Sequence, residues 1–270
     1  MNLKNCTVRL AQCLKILLVA TAAGFLVQSA HATLLFSDGF NYSTGGLGSV
    51  GTPTWSGGNN GLIVTNANLT YSGLQDLGGN ALLLTNGSGG SSVATYANQT
   101  AGQVYYSFLF DPLAVDSGNN YFTALNPSTT APGGSGDAIN AYYYPTGKIE
   151  LRAAAQSATA GTGSALTIGT TYLIVEEIDL TAKTASLWID PTLGGSPPTA
   201  TASLSGITAT AVDDVGFKTT SATGAYVIDN LLIGTTWADV TPAAVPEPST
   251  VMMVVSGLGL MFGLARRRRS

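Results

Sequence analysis

Short runs of β-branched and aromatic residues recur along the middle of the chain, separated by clusters of Gly, Ser, Thr, Asn and Pro. Runs of this kind are typical of β-strands, and the clusters are typical of turns. Because no long stripe of helical period interrupts them, we predict an all-β sandwich or barrel with antiparallel strands. Twelve strands are predicted, at residues 34–36, 62–65, 81–85, 93–97, 103–110, 121–125, 138–144, 148–154, 171–180, 185–189, 212–218 and 225–233.

The clearest alternation lies in residues 103–110. One face of this strand carries Val104, Tyr106, Phe108 and Phe110. The opposite face carries Tyr105, Ser107 and Leu109. Since successive side chains of a strand point to opposite faces, we assign the first set to the core.

Turn-forming residues predict two hairpins. Residues 145–147 (Pro-Thr-Gly) and 181–183 (Thr-Ala-Lys) each join the strands on either side by a short loop. The glycine-rich stretches 45–60 and 128–136 are predicted to be surface loops, and the first can include a further edge strand around Trp55.

The amino end has the parts of a secretory signal peptide. Basic residues precede an uncharged apolar run at 16–27, and Ala30 and Ala32 stand at the positions that a signal peptidase reads. We predict a signal peptide at 1–32 and cleavage before Thr33. The alternative, a retained membrane anchor, is disfavoured because about 12 apolar residues are fewer than the ~20 that a spanning helix needs.

Both cysteines, Cys6 and Cys13, and the single histidine, His31, precede that cleavage site. The exported protein is therefore predicted to have no disulfide and no thiolate or imidazole ligand for a metal. The chain after the cut also lacks the commonest general base and a thiol nucleophile, so we predict that the protein is not an enzyme.

The carboxyl end contains three consecutive elements after the predicted domain at 33–240. They are a linker at 241–249 with Pro246, Glu247 and Pro248, an uncharged apolar stretch at 250–265, and a basic tail at 266–270 with Arg266, Arg267, Arg268 and Arg269. As a helix, the apolar stretch of about 16 residues spans ~24 Å, which predicts a short transmembrane helix in the inner membrane. Because arginines resist translocation, the tail stays cytoplasmic and the domain lies outside that membrane. An ordinary single-pass anchor is the alternative.

This arrangement closely resembles the PEP-CTERM protein-sorting signal, which comprises a Pro-Glu-Pro motif, a short transmembrane helix and a basic terminus. The resemblance covers only the carboxyl end of the chain. It implies recognition by exosortase, a membrane transpeptidase-like enzyme of Gram-negative bacteria that often make exopolysaccharide. It also implies transient anchoring by the helix and release to the cell surface or extracellular matrix.

The predicted exported segment, residues 33–245, is strongly acidic. Its bases number four and its acids fourteen, so the net charge is 4 − 14 = −10. The bases are Lys148, Arg152, Lys183 and Lys218. Such a segment repels phosphates, which excludes nucleic acid and anionic lipid as partners bound through bulk electrostatics. Cations, neutral sugars and proteins remain as partner classes.

Four short motifs resemble those of concanavalin A-like jelly rolls, the laminin G and legume-lectin type of sandwich. They lie at residues 36–40 (FSDGF), 172–175 (YLIV), 186–191 (SLWIDP) and 228–231 (IDNL). The resemblance implies an antiparallel jelly-roll sandwich whose first and last strands are neighbours. Another jelly roll or an immunoglobulin-like sandwich is the alternative.

Laminarinase-like glycoside hydrolases share that fold, and their active strand reads E-[IL]-D-x-x-E. Glu177 and Asp179 match its beginning, and alternate residues of one strand can bring two carboxyls to the ~5 Å that a retaining mechanism needs. Thr181 and Ala182 stand where the final glutamate is expected, so the proton donor is missing. A degenerate or active laminarinase-like hydrolase is kept as the alternative function.

Binding is the preferred function, because aromatic rings at strand ends can stack on sugars such as those of exopolysaccharide. The candidate sugar-binding residues are Trp55, Tyr142, Tyr143 and Trp188, although large aromatics more often fill sandwich cores. We rank a carbohydrate- or matrix-binding module first, a structural surface protein without a specific ligand second, and the hydrolase third.

Calcium is the one cofactor that the sequence suggests. Asp38 with Asp229, and Asp213 with Asp214, can supply the hard oxygen ligands that calcium prefers, as the lectin-like resemblance permits. The alternative is that these aspartates form turns or stay solvated.

Overall fold

The computed structural model describes residues 34–58, 60–87, 89–126, 137–153, 159–161 and 163–244. The predicted signal peptide with its cleavage site, the loop at 128–136, the Pro-Glu-Pro motif, the membrane helix and the basic tail lie outside these residues. Among the described residues, no helix is long and apolar enough to cross a membrane.

Short strands dominate the described part of the chain, together with two single-turn helices. The strands are β1 (Leu34–Asp38), β2 (Gly45–Gly46), β3 (Ser56–Gly57), β4 (Leu62–Thr65), β5 (Ala81–Thr85), β6 (Ser91–Gln99), β7 (Gln103–Ala114), β8 (Asn120–Asn126), β9 (Ile139–Tyr143), β10 (Ile149–Ala153), β11 (Thr159–Gly161), β12 (Tyr172–Asp179), β13 (Thr184–Ile189), β14 (Ala202–Ser205), β15 (Val212–Lys218) and β16 (Ala225–Gly234). The helices are α1 (Leu47–Val50) and α2 (Trp237–Val240).

The strands form two antiparallel sheets. The nine-stranded sheet has the order β14-β13-β12-β7-β16-β5-β4-β2, and β1 also pairs with β16. The seven-stranded sheet has the order β11-β10-β9-β8-β15-β6-β3. The two sheets share one apolar core, to which both contribute, so the domain is a β-sandwich.

All twelve predicted strands are present, and the predicted all-β antiparallel fold is confirmed. The largest differences in length are at β6, which spans Ser91–Gln99 instead of 93–97, and at β7, which continues past Phe110 to Ala114. Four strands were not predicted with the twelve, namely β2, β3, β11 and β14, because each has only two to four residues and therefore no readable alternation. β3 is the edge strand that the sequence suggested near Trp55.

The predicted pairings are also present. β1 runs antiparallel to β16, with Leu34 opposite Gly234 and Asp38 opposite Leu231, so the first and last strands are neighbours. The hairpin of β9 and β10 is closed by a hydrogen bond from Tyr144 N to Lys148 O at 3.0 Å. In the second hairpin, between β12 and β13, Lys183 N donates to Asp179 O at 2.8 Å.

The core between the sheets is built largely from aromatic rings. Phe110 of β7 lies 5.3 Å from Phe122 of β8 and 5.2 Å from Tyr226 of β16, measured between ring centroids. The residues assigned to the core from the alternation of β7 are all buried there, as predicted. Edge and tilted ring contacts of this kind add to the stability that area burial gives.

The outer face of the nine-stranded sheet is buried as well, which the sequence did not predict. We call it the covered face: the side chains of Leu74, Trp237 and Val240 pack over its apolar sheet residues, which are Tyr105, Leu109, Leu173, Val175, Trp188 and Leu232. Helix α2 lies on it, and Ser107 Oγ donates to the carbonyl of Val240 at 2.7 Å. The segment before β5 is tied to the segment after α2, because Gln75 N donates to Pro242 O at 2.9 Å.

Candidate functional site

Three of the four predicted sugar-binding aromatics lie inside the protein. Trp55 and Tyr143 have no exposed surface, and Trp188 is 4% exposed. The Trp55 ring lies 5.4 Å from that of Phe217, and the Trp188 ring lies 5.1 Å from that of Trp237. Their ring faces contact protein rather than solvent, so the prediction that Trp55, Tyr143 and Trp188 stack on a sugar is wrong for this folded structure.

Tyr142, the fourth candidate, is half-buried on the outer face of the seven-stranded sheet. Alternation explains this position: the neighbouring residues Ala141 and Tyr143 are buried in the core, so Tyr142 points to the other side. On β10 the same alternation buries Leu151 and leaves Arg152 on the outer face.

Tyr142 belongs to a row of tyrosines on two neighbouring strands and the turn that follows the second strand. The rings of Tyr121 on β8 and Tyr142 on β9 are opposite in register and 5.5 Å apart, with an interplanar angle of 60°. The ring of Tyr144, just after β9, lies 6.0 Å from that of Tyr142. We call Tyr121, Tyr142, Tyr144, Arg152 and Lys218 the tyrosine face.

Two basic side chains lie against these rings. Arg152 Cζ is 5.5 Å from the ring centroid of Tyr142, and its Nη1 donates to the Tyr142 hydroxyl at 3.4 Å. Lys218 Nζ is 4.7 Å from the ring centroid of Tyr121 and donates to the hydroxyl of that residue. Lys218 Nζ lies at the hydroxyl end of the Tyr121 ring, because it bonds that hydroxyl. The contacts fix the rings and the bases together on one surface.

The Tyr144 hydroxyl on this face is a neutral donor and acceptor. Burial, together with the nearby Glu150, raises the pKa of Tyr144 to about 12, so its phenol stays protonated at neutral pH. A pyranose has an apolar ring face and a rim of hydroxyls. Half-buried phenol rings can pack on the apolar face, and charged donors beside them can bind the hydroxyls.

An acidic and amide-rich group lies further along the same face. Asp214 on β15 is opposite Asn126 on β8, and Asn140 Nδ2 donates to Asp137 Oδ2 at 2.5 Å. Asp214 is fully buried, and burial with the charge of Asp213 raises its pKa to about 7, against a smaller lowering by Asn126. This end of the face therefore carries less negative charge at neutral pH than its composition suggests.

Asp38 and Asp229, the first pair of aspartates predicted to hold calcium, accept hydrogen bonds from the protein. Both oxygens of Asp38 accept hydrogen bonds, Oδ1 from Phe40 N at 2.7 Å and Oδ2 from Trp55 Nε1 at 2.6 Å. Asp229 Oδ2 accepts from Leu69 N at 2.8 Å, and its Oδ1 accepts from the N–H of the next residue. These carboxylates bind loop backbone and a buried indole, and a calcium site at Asp38 and Asp229 stays a prediction.

Asp213 and Asp214 remain adjacent carboxyls at the acidic end of the tyrosine face. Within the ranges that the structure describes, no group of three or more His, Cys, Asp or Glu side chains is placed to hold a metal ion. Calcium usually takes six to eight oxygen ligands, so two carboxylates would need backbone carbonyls or water as further ligands. A calcium site at Asp213 and Asp214 stays a prediction.

The strand that matches the hydrolase motif enters a turn. Glu177 Oε1 accepts a hydrogen bond from Gln103 Nε2 at 2.6 Å, and Asp179 Oδ1 accepts from the backbone N–H groups of Thr181 at 2.9 Å and Ala182 at 2.7 Å. The carboxylate of Asp179 thus organises the turn of the second hairpin. The positions at which a proton donor is expected supply backbone donors to that turn instead.

Sequence reasoning did not identify Tyr121, Arg152 or Lys218 as site residues. The alternation of β9 and β10 could have found Arg152, because it places Tyr142 and Arg152 on the same outer face of neighbouring strands. Tyr121 was harder to place, since the β8 and β9 register shifts between Tyr121 and Thr123. An irregularity of this kind breaks the period-two pattern on which a facing prediction depends.

Comparison with known proteins supports the two resemblances separately. The PEP-CTERM protein-sorting motif matches residues 244–269, which confirms the predicted sorting tail with Pro246, Glu247, Pro248 and the four arginines. This motif marks the chain as an exported surface protein. No curated protein sequence matches this chain.

Among solved structures, the globular domain of T. cruzi calreticulin is similar over 77% of this chain and 90% of its own, with a TM-score of 0.50 and 11% identity. The VIP36 exoplasmic/lumenal domain, in its Ca2+/Man3GlcNAc-bound form, covers 73% of this chain and 87% of its own, with a TM-score of 0.43 and 7% identity. Trypanosoma rangeli sialidase covers 69% and 31%, with a TM-score of 0.42 and 13% identity. The likeness to the calreticulin domain shows the fold alone, an antiparallel β-sandwich.

Proposed function

We propose that the protein is a carbohydrate-binding module of the bacterial surface or extracellular matrix, and that it binds glycan on the tyrosine face. The observation that carries this proposal is the contrast between two outer faces. Apolar side chains and a helix bury one of them, whereas the other presents half-buried tyrosines and bases.

Display outside the cell follows from the sorting motif. We propose that signal peptidase cleaves before Thr33 and that an exosortase-type enzyme processes the chain near Pro246. Between these two events the helix at 250–265 would hold the chain in the inner membrane, with Arg266 to Arg269 in the cytoplasm. A domain released in this way meets the polysaccharides of the cell surface.

The binding proposal is tested with purified full-length protein in detergent on a glycan array, with and without calcium. We expect saturable binding that Tyr142→Ala weakens at least tenfold, equivalent to about 1.4 kcal/mol. Tyr71→Ala is the matched control, because Tyr71 packs on the side of the covered face. No saturable binding to any glycan would favour a structural role without a ligand. Released reducing sugar that Glu177→Gln abolishes would favour the hydrolase.

The calcium prediction is tested in the same experiment. If Asp213 and Asp214 hold the cation, calcium strengthens glycan binding and Asp214→Asn removes that effect. Equal binding with and without calcium would remove the calcium site from the proposal.

The processing proposal is tested by mass spectrometry of the protein recovered from the cell surface. We expect an amino terminus at Thr33 and a carboxyl terminus near Pro246. Surface protein that still contains Arg269 would contradict exosortase-type processing, and a terminus upstream of Ala30 would contradict the cleavage site.

A further inference from the structure

Exposed aliphatic side chains gather at one end of the sandwich. Three of the five large hydrophobic residues that are exposed in the described part of the chain lie there: Leu113 at 45%, Val115 at 38% and Ile168 at 54%. Leu113 is close to the end of β7, Val115 directly follows that strand, and Ile168 lies in the loop before β12. Single exposed aliphatic residues need no explanation, whereas a contiguous exposed patch marks an interaction site.

Backbone contacts bring these residues together. Gly169 N donates to Pro112 O at 2.8 Å, so the loop before β12 runs beside the end of β7. A Cβ atom at Gly147, in the turn between β9 and β10, would lie 3.3 Å from Ala165 Cβ and 3.8 Å from Val115 Cγ1. Ala165 is exposed as well. We call the resulting patch the apolar tip, formed by Leu113, Val115, Ala165 and Ile168.

The acid next to the apolar tip in the sequence is turned inward. Asp116 directly follows Val115, yet it is only 1% exposed, and its Oδ1 accepts a hydrogen bond from Gly224 N at 2.7 Å. Lys148, one of the four bases of the exported segment, directly follows Gly147. The patch therefore presents aliphatic surface with a base beside it.

The first two residues of β12 link the apolar tip to the loop after β13. Tyr172 Oη accepts a hydrogen bond from Thr167 N at 2.9 Å, next to Ile168. Leu173 O accepts a hydrogen bond from Asp190 N at 2.8 Å. The loop that carries Ile168 and the loop that begins at Asp190 thus lie at the same end of β12.

The loop after β13 also contacts the chain where it leaves the described domain. Gly194 N donates to Thr241 O at 3.2 Å, and Ala244 is the last described residue. Only residues 245–249 separate Ala244 from the predicted membrane helix at 250–265. Because five extended residues reach at most about 17 Å, an anchored chain keeps this end of the domain close to the bilayer.

From these contacts we infer that the apolar tip docks on the lipid surface of the inner membrane while the chain is anchored, with Leu113, Val115 and Ile168 inserted at the level of the headgroups. The inference rests on the proposed anchoring by residues 250–265 and is independent of glycan binding. A short tether gives an effective concentration on the order of millimolar, so a weak apolar contact is enough for docking. Docking would hold the linker with Pro246 at the membrane surface, where a membrane-bound processing enzyme can reach it.

A lipid surface fits the apolar tip better than a second copy of the chain does. A stable protein interface buries about 800 Å² on each partner, far more than a few aliphatic side chains supply. A bilayer requires no complementary shape and takes up apolar side chains at its interface. The net charge of −10 opposes an anionic membrane, so the contact depends on insertion of apolar side chains rather than on long-range attraction.

The test measures how close single positions of the anchored protein lie to lipid. Full-length protein in which Cys6 and Cys13 are replaced by serine is reconstituted in phosphatidylcholine nanodiscs, with a fluorophore on Ile168→Cys. Nitroxide-labelled lipids should quench this fluorophore at least about threefold more than one on Ala182→Cys, because only the apolar tip enters the interface. Ala182 is the matched control, since it is exposed in the turn at the opposite end of β12. Phosphatidylglycerol nanodiscs should give less quenching, because they repel the acidic segment.

A charge placed in the patch tests the apolar tip itself. Leu113→Asp should lower the quenching at position 168 at least about twofold, because a carboxylate resists insertion among lipids. Ile63→Asp places the same charge on another exposed aliphatic residue and should leave the quenching unchanged. Thermal melting of each variant separates lost docking from lost folding, and Val115→Asp replaces Leu113→Asp if the latter melts early.

Failure of the docking and failure of the proposed anchoring give different results. Protein that enters nanodiscs but shows equal quenching at positions 168 and 182 would overturn the docking and leave the anchoring intact. Protein that does not enter nanodiscs would overturn both. Self-quenching of the fluorophore at position 168 that rises with protein concentration, without quenching by nitroxide lipids, would show that a second copy covers the apolar tip, which also overturns the docking.

Discussion

The two outer faces of this sandwich use aromatic residues for different purposes. On the covered face, the rings of Tyr105 and Trp188 pack against Trp237 of helix α2 and are buried away from solvent. On the tyrosine face, Tyr121 and Tyr142 meet Lys218 and Arg152 and stay half-buried. A tryptophan on a sheet surface is therefore not in itself a sign of a sugar site. What decides its role is whether another part of the chain covers it.

The cover depends on contacts between segments that are distant in the sequence. Helix α2 begins at residue 237 and contacts β16, which ends just before it, but it also contacts β7, which ends at Ala114. Its single turn is too short to be stable alone, and it gains stability from a capping box in which Thr236 N donates to Asp239 Oδ2 at 3.0 Å. The covered face is thus held by packing, and the tyrosine face by cation–π and hydrogen-bond contacts.

The largest effect is expected from removing the cover. Trp237→Ala should lower the free energy of unfolding by about 3 to 5 kcal/mol, because a nearly buried indole that contacts two further aromatic rings leaves a cavity. Urea denaturation measures the loss. Ile168→Ala is the control, since Ile168 is 54% exposed and should cost less than about 0.5 kcal/mol. A loss below about 1 kcal/mol for Trp237→Ala would mean that the cover contributes little.

The two sides of the nine-stranded sheet can be compared through consecutive glutamates on β12. Glu176 points into the core, is fully buried, and has no hydrogen-bond partner among the described residues. Glu177 points to the opposite side and accepts a hydrogen bond from Gln103 Nε2. Burial raises the pKa of Glu176 from 4.5 to about 8. Burial also raises the pKa of Glu177, and the hydrogen bond from Gln103 lowers it in part.

Stability should therefore fall as the pH rises from about 4.5 to about 8. Within this window the folded state keeps the proton on Glu176 while the unfolded state releases it, so each rise in pH favours unfolding. Glu176→Gln removes the contribution of Glu176 to this pH dependence. The variant should be about 2 to 4 kcal/mol more stable than wild type above pH ~8, and nearly as stable as wild type below pH ~4.5. Chemical denaturation across the pH range measures the difference.

Two comparisons sharpen that result. Burial raises the pKa values of Asp116, Asp214 and Asp229 to about 7. The free energy of unfolding of Glu176→Gln should therefore still fall as the pH rises, but less steeply than that of wild type. Glu177→Gln should change the slope less than Glu176→Gln does. Equal slopes for wild type and Glu176→Gln would show that the core does not hold a protonated glutamate.

The sequence predicted features that depend on local order and missed those that depend on contacts across the chain. The alternation of β7 correctly placed Tyr106 and Phe108 in the core, because period-two patterns report the side of a sheet directly. The same alternation did not predict that Tyr105 and Leu109 are buried, because the residues that pack over them, Leu74 and Trp237, are far away in the sequence. The sorting tail was predictable for the opposite reason, since its three parts are read in linear order.

The candidate site was predicted only in part, for a related reason. Tyr142 was named because three tyrosines stand together at a strand end, but the same cluster also supplied Tyr143, which alternation turns into the core. Trp55 is not available to a sugar, because it is buried and its indole N–H donates to the Asp38 carboxylate at 2.6 Å. Partners such as Lys218, 97 residues from Tyr121, become neighbours only through sheet order.

The smallest effect on stability is expected on the tyrosine face, and it decides whether the two faces truly differ. Tyr142→Ala should lower the free energy of unfolding by about 1 kcal/mol, because the ring is half-buried, whereas Tyr105→Ala on the covered face should cost about 3 kcal/mol. Glycan binding should respond in the reverse order, with Tyr142→Ala losing affinity and Tyr105→Ala keeping it wherever the protein is folded. Urea denaturation and calorimetry on the same samples give both values. If Tyr142→Ala costs as much stability as Tyr105→Ala and leaves binding unchanged, the tyrosine face is a second structural surface, and the difference in cover does not separate binding from stability.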